Sequence, residues 1–598
     1  MQSIKNILKK YFSSLALFYQ YLRYRLVVVF ILSVFTGILD GLGLAMFIPM
    51  LQKVSGDGSG ASEQMGNLSF LVDGLAYVGF DMTLIVVLMT MLFFFTLKGI
   101  VKFFESYQKV IYRQYFIRNI RESNITSLAS LSYNKFVMSD AGRIQNTMTG
   151  EIGKVGQGFT TYLMFLQQGV LLLVYTVLAI LANPEFAILV AIGGVLTNLA
   201  FIKLFKVTKK LSTKLTKSNH GFQGLVIQQV SQFKYLKATG LIRDYAKKLI
   251  QKVYEIEESQ RKIGVLNAIM GGVREPMLIG VVVVVILVQV NVMGGSLGSV
   301  ILSILFFYRA LTSVMQLQTN WNKYLALSGS FDNLEAFTKE LKMGKETLGK
   351  GKFKNFEQQI CLKNVNFNYG ETKILQNINL KIPKNESIAF VGESGSGKTT
   401  LLNIIAGLLK PAEGEVLLDG QDLKQIHTPA FQKRIGYITQ EPVIFNDTIF
   451  NNVTFWDAPT PDNMLKFNEA IRRASIYDFV KEQSKQEDTV LGNNGINISG
   501  GQKQRLSIAR ELYKDVDFLF LDEATSALDT ETEKQIQESF TALKGKYTTI
   551  IIAHRLSTIK DVDRVVFIKK GRVDQIGTYQ ELIEKSKDFS RIVAMQEV

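Results

Sequence analysis

Hydrophobic and polar positions divide the chain into two halves with different periods. Between residues 26 and 320 apolar residues run in long, nearly uncharged stretches, roughly 26–51, 84–104, 160–181, 186–206, 268–290 and 297–320. As helices rising about 1.5 Å per residue, each can cross a hydrocarbon layer about 30 Å thick. Asn183-Pro184-Glu185 separates the third and fourth stretches, and Asn291 to Ser296 joins the fifth and sixth. The polar stretches after the second and fourth keep helical character, which predicts helices projecting well past the bilayer. Before them, Ile4, Ile7, Leu8, Tyr11, Phe12 and Leu15 share one helical face with Lys5, Lys9 and Lys10 off it. That pattern predicts an interfacial amphipathic helix over 1–25. The first span is too long for the apolar core of a cleavable signal. After a polar linker at 331–355, strand-like runs appear ahead of an α/β pattern that fills 356–598.

Charge orients the membrane half. Residues 203–263 carry fourteen Lys/Arg against four acids, 105–157 carry seven against four, and 52–83 carry one Lys against four. The positive-inside rule therefore puts both long basic loops and both termini in the cytosol. The same clustering accounts for the net charge of +16 without a nucleic-acid partner. The single cysteine, Cys361, excludes an intrachain disulfide and a Cys-based zinc site. Asp40, Lys98, Arg274, Glu275 and Arg309 lie in or near apolar spans, where a charge needs a partner, water or a task. Interhelical pairing competes there with a polar cavity for cargo. Asp40 and Arg309 are the candidate substrate residues.

The chemistry is concentrated in Gly392-Glu393-Ser394-Gly395-Ser396-Gly397-Lys398-Thr399, between a strand-like run at 387–391 and a helical one at 401–409. This GxxxxGK[ST] spacing lines up backbone N–H groups as an anion cradle. It aims a helix N-terminus at phosphates, supplies a Lys for the outer phosphates and offers a Thr hydroxyl to Mg²⁺. Further on, Phe518-Leu519-Phe520-Leu521-Asp522-Glu523 is an apolar strand ending in two carboxylates. Asp522 would hold Mg²⁺, and Glu523 would orient or deprotonate an attacking water. ATP and Mg²⁺ are the expected cofactors.

Ile498-Ser499-Gly500-Gly501-Gln502-Lys503-Gln504-Arg505 resembles the signature motif of the ATP-binding cassette (ABC) family. The other elements of that family follow in order. The resemblance implies that Tyr369 stacks on adenine, beside a phosphate loop of Gly392, Ser394, Gly395, Gly397, Lys398, Thr399 and Thr400. It implies that Gln440 senses the metal, which Thr399 and Asp522 also hold. It makes Asp529 couple two sites and His554 bond the γ-phosphate, so that Glu523, His554 and Gln440 form the catalytic set. Ser499, Gly500, Gly501 and Gln502 would close over the nucleotide of a second cassette, so the chain must pair with a copy of itself or a related half-transporter. Exporters of the family often carry Gly-Glu-Arg-Gly before the signature; here Gly492-Asn493-Asn494-Gly495 stands instead.

Six spans followed by one cassette resemble an ABC exporter half-transporter. The implied fold is a polytopic α-helical membrane domain with long cytosolic extensions, joined to an α/β P-loop cassette. Coupling helices would lie at Ser132–Met138 and roughly at 221–230. Asp40, the Tyr308-Arg309 pair and the run from Phe136 to Arg143 add a likeness to flippases of lipid-linked oligosaccharides. The implied activity is ATP-driven movement of a lipid-linked or amphipathic substrate, in a bacterial cytoplasmic (inner) membrane. Peptide and hydrophobic-drug export remain open, as does an ATP-gated channel or receptor.

Overall fold

The computed structural model describes residues 21–47, 70–77, 83–182, 184–291, 297–353, 355–522, 543–553 and 559–596, with isolated neighbours, and mostly backbone alone over 184–198 and 288–304. Expectations for 1–14, 54–69, Glu523, Asp529, His554 and the Arg274 side chain lie outside the described residues. The chain forms two compact units: Met1–Leu131 with Met138–Lys345, and Ser132–Val137 with Glu346–Val598.

The first unit is built on long helices: α1 (Tyr24–Ala45), α2 (Leu84–Ala129), α3 (Ile152–Ala182), α4 (Pro184–Ser231), α5 (Ile242–Asn291) and α6 (Leu297–Met343). The 46 residues of α2 reach about 69 Å, over twice a hydrocarbon layer. Among the described residues, α1, α2, the helical run into α3 and α5 are long and apolar enough to cross a membrane. The fourth and sixth expected spans fall on α4 and α6, where many apolar side chains lie outside the described residues. Half of the apolar stretch of α1 is buried, against 6% of that of α2. Ile85, Met89, Leu92, Phe93 and Phe103 of α2 are all exposed. So much contiguous apolar surface is incompatible with water and suits lipid.

At the polar end of the bundle an aromatic core gathers Phe18, Phe116, Phe159, Tyr162 and Phe331, with Phe18 5.0 Å from Phe159 and 5.8 Å from Phe331 in edge contacts. Phe18 and Leu22 are thus covered by protein at the described end of the predicted interfacial helix. The stretch 331–343, expected in a linker, continues α6. Its Phe331, Leu334, Phe337 and Leu341 recur at helical spacing and are buried. Residues 221–230, expected as a coupling helix, instead finish α4, because nothing in Leu225–Gln229 stops a helix. The short helix comes afterwards, at Phe233–Ala238, and leaves Val230, Phe233 and Tyr235 exposed.

The second unit carries two sheets. An antiparallel one has the order β2-β1-β4-β5, from β1 (Gln359–Tyr369), β2 (Thr372–Pro383), β4 (Glu413–Leu418) and β5 (Gln421–Asp422). The larger has the order β10-β9-β3-β8-β7-β6, from β3 (Ser387–Val391), β6 (Ile435–Ile438), β7 (Phe518–Asp522), β8 (Thr548–Ile552), β9 (Arg564–Lys569) and β10 (Arg572–Gly577). Its central pairs are parallel and only β9–β10 runs antiparallel. Successive residues of β7 face opposite cores: Leu519 and Leu521 join one, Phe518 and Phe520 the other. Burial on both faces is what a continuous apolar strand requires.

Candidate nucleotide site

The phosphate loop leaves the end of β3 and feeds the helix α7 (Lys398–Ile405). Gly397, the residue before α7, has φ 101°, and a Cβ there would lie 2.7 Å from Leu375 Cδ2. Gly392 has φ 155°, and its Cβ would meet the Ile568 carbonyl oxygen at 2.2 Å. The loop can close this tightly only without side chains at those two positions. Gly395 has open space where a Cβ would be, Thr399 is exposed, and the Ser396 hydroxyl is buried with no partner among the described residues. Lys398 is 5% exposed, and its Nζ donates to the carbonyls of Gly392 (2.8 Å) and Glu393 (2.9 Å). An open cradle of amides, a vacant hydroxyl and a poised ammonium fit the phosphates of a nucleotide.

Sheet register brings the second acidic element to the same edge. Phe390 pairs with Ile552, and Ile552 with Asp522. The start of the phosphate loop, the end of β8 and Asp522 therefore stand in one row, with about 10 Å between β3 and β7. Ligands bind at this carboxyl edge of an α/β sheet. Glu523 and His554 lie outside the described residues, directly after Asp522 and one residue beyond the Ile552–Ala553 end of the row. Tyr437, which the motif analysis passed over, faces Asn403 Oδ1 of α7 at 3.3 Å and is hydrogen-bonded to Asp522. Burial and then the Asp522 carboxylate push its hydroxyl above the usual tyrosine range, so it stays protonated between Asn403 and that carboxylate. Its sequence signal is slight: an aromatic three positions before Gln440, at the end of a buried strand. Gln440 sits on the exposed bend after β6. Tyr369 ends β1, packs edge-on against Phe367 at 4.9 Å and bonds Thr400 of α7. Tyr133, on the short helix Tyr133–Val137 that belongs to this unit, lies near both tyrosines.

The signature opens the helix α8 (Gly500–Tyr513). Ser499 Oγ accepts from the Gln502 N–H at 3.2 Å, and Gln502 Oε1 accepts from the Ser499 N–H at 2.8 Å. This capping box orders the helix start and leaves the exposed Gly500 and half-buried Gly501 amides at an electropositive end. At the other end of α8, Glu511 accepts from the Tyr437 N–H at 3.3 Å. Twelve residues of helix, about 18 Å, therefore separate Ser499 from the β6 edge. Arg510 fixes that end too, donating to the Val443 carbonyl at 2.7 Å and the Asn452 carbonyl at 2.6 Å. The structure thus gathers Tyr369, the phosphate loop, Gln440 and Asp522 around one edge. Asn493 and Asn494, where the family's Glu and Arg would stand, form an exposed turn.

The two candidate substrate residues differ. Asp40 is 3% exposed, and its carboxylate accepts from Lys98 Nζ and the Tyr175 hydroxyl. Arg309 is exposed on α6, next to exposed Tyr308 and within electrostatic reach of Tyr175. A second carboxylate that sequence reasoning missed, Glu105, is fully buried and accepts from Ser33 (2.7 Å), Lys109 (2.8 Å) and Gln167 (3.1 Å).

Comparison with known proteins agrees with this division. The model of the ABC transporter transmembrane region matches residues 26–315, and the ABC transporter model matches 375–526. An ATP-dependent lipid A-core flippase of Desulfotalea psychrophila is 29% identical over 84% of this chain and 88% of its own length. The heterocyst differentiation ATP-binding protein HepA of a Nostoc species is 29% identical over 78% of this chain and 77% of its own. A bacterial Atm1-family ABC exporter solved with ATP bound shares the fold, with a TM-score of 0.77 at 22% identity over 96% of this chain and 99% of that one. With membrane region and cassette both matched on one polypeptide, the chain belongs to the ABC transporter family, as an integral-membrane half-transporter of exporter build whose cassette is an ATPase coupled to transport.

Proposed function

We propose that two copies of this chain form a flippase that moves a lipid-linked or amphipathic substrate across a bacterial cytoplasmic membrane at the expense of ATP. The observation that carries this reading is the single row of phosphate loop, β8 end and Asp522, in a chain that also presents bare apolar helices. Relatives named lipid A-core flippases, one from Francisella tularensis being 26% identical over 94% of this chain, support a lipid cargo. Both termini and the cassette face the cytosol in this reading.

Within the site, Tyr369 stacks on adenine, and the amides of Gly392–Thr400 with Lys398 hold the phosphates. Thr399, Gln440 and Asp522 would hold Mg²⁺, which when bound would neutralise charge on the phosphate oxygens. Glu523 takes the proton of the attacking water, His554 bonds the γ-phosphate, and Asp529 links the paired sites. Ser499 to Gln502 closes on the nucleotide held by the other copy, because about 18 Å of helix keeps that end away from its own β6 edge. Exposed Val230, Phe233 and Tyr235 offer an apolar tip for the second copy. ATP can drive closure only by the difference in its affinity for the closed and open pairs. Arg309 faces the cargo, while Asp40 holds helices together.

The test is reconstitution in vesicles with a fluorescent lipid-linked glycan in one leaflet. ATP should accelerate its movement to the other leaflet, and the glycan should stimulate ATP turnover. Stimulation by peptides or drugs alone, with no lipid movement, would sink the flippase reading while leaving the ATPase intact.

A further inference from the structure

From Phe186 to Arg243 the chain has no acidic residue, yet Lys203, Lys206, Lys209, Lys210, Lys214 and Lys217 fall within fifteen positions of α4. At 3.6 residues per turn, five of them share one face and Lys209 lies at its edge. All six are exposed. The opposite face, Phe201, Phe205, Thr208, Ser212 and Thr216, is buried, and its two phenylalanines sit in the aromatic core. One side of α4 is thus anchored and the other looks outward. That outward face is apolar at Leu199 (59% exposed) and turns cationic at Lys203. Seventeen uncharged residues precede Lys203. They span about 26 Å, close to a hydrocarbon layer, so the change falls at headgroup level.

Acids of the neighbouring helix do not neutralise the upper lysines. Glu258 of α5 acts on Lys214 and pairs with Lys262 at 2.6 Å, while Glu255 pairs with Lys252 at 2.5 Å. Among the described residues Lys203, Lys206, Lys209 and Lys210 make no ion pair. These four span about 10 Å of helix, comparable with the headgroup layer and with a Debye length of about 8 Å. We propose that Lys203, Lys206, Lys209 and Lys210 form a docking stripe for anionic phospholipid headgroups of the cytosolic leaflet. The apolar face above would receive acyl chains, and the ammonium groups the phosphodiester.

The test uses full-length protein in nanodiscs of mixed phosphatidylglycerol and phosphatidylcholine, with retained lipid counted by native mass spectrometry. Each lysine near an anionic surface is worth about fivefold in partition. The K203Q/K206Q/K209Q/K210Q variant should lose the preference for phosphatidylglycerol by at least about tenfold. Arginine at the same four positions should keep it, and so should K466Q/K485Q/K585Q/K587Q, which removes equal charge from exposed lysines of the cassette. Equal retention by the stripe and cassette variants overturns the proposal. If the stripe variant fails to fold, salt decides: retention by the unaltered protein should collapse at high salt, and salt-independent retention overturns the proposal. Protection of these lysines from an amine-reactive label in lipid-free protein would assign the face to a second copy, and would overturn it as well.

Discussion

Among single residues, Asp40 shows what a sequence reveals and what it hides. A carboxylate inside an apolar span was visible at once. Its partners were not, because Lys98 and Tyr175 lie 58 and 135 positions away. The carboxylate is spent on an interhelical pair, so its first task is cohesion. Lys98→Met leaves a buried charge unpaired and should destabilise the protein by on the order of 3 kcal/mol, read as a lower thermal midpoint in detergent. Asp40→Asn with Lys98→Met removes both charges, keeps an acceptor for Tyr175, and should recover most of that loss. An unchanged midpoint in Lys98→Met would show that the pair carries no weight; recovered stability with lost transport would return Asp40 to the cargo path. The phosphate-loop lysine is a contrasting case. Lys398 was legible from spacing alone, and its poised ammonium fits the role. Lys398→Ala removes a charge-assisted bond worth about 1.5–3 kcal/mol, so binding of a fluorescent ATP analogue should weaken about tenfold or more. Undiminished binding would count against the cradle.

At the level of elements, local pattern succeeded where local rules decide and failed where packing does. The strand–loop–helix around Gly392–Thr399 and the buried strand before Asp522 were readable, since turn chemistry and apolar runs dictate them. The end of α6 was not, because polar residues mask Phe331, Leu334, Phe337 and Leu341 until the aromatic core gives them a destination. The break after α4 was displaced too: the family resemblance implied a coupling helix at about 221–230, but α4 runs on to Ser231. The start of α8 makes a sharper test possible. Ser499 and Thr578 both close capping boxes, with Gln502 and Glu581 respectively. Alanine at either should cost about 1 kcal/mol of stability. If Ser499 also meets a phosphate of the paired cassette, Ser499→Ala should cut ATP turnover by at least about tenfold, the worth of one charge-assisted bond, while Thr578→Ala should leave it near normal. Equal turnover in the two variants would confine Ser499 to its cap.

For the whole molecule, fold class and family were legible because motif order is a long-range property written linearly: phosphate loop, signature and acidic strand succeed one another whatever the packing. The second copy was legible only by implication, from the family resemblance of the signature. One end of α8 is held to β6 through Glu511 and to the Val443 and Asn452 carbonyls through Arg510, so a rigid helix sets Ser499 about 18 Å from that anchor. In the proposed pair, each ATP site is completed by the signature of the other copy. Closure around ATP should persist when water activation is removed. Glu523→Gln should therefore bind Mg·ATP, abolish turnover and accumulate a closed pair whose mass in detergent is that of two chains. Adding Ser499→Arg, which places a bulky cation at the proposed seam, should abolish the trapped pair while leaving the affinity of each open site for the nucleotide unchanged. A Glu523→Gln protein that stays monomeric under saturating Mg·ATP would break the link between α8 and pairing. One that turns over ATP normally would remove Glu523 from the chemistry while leaving the phosphate loop where it is.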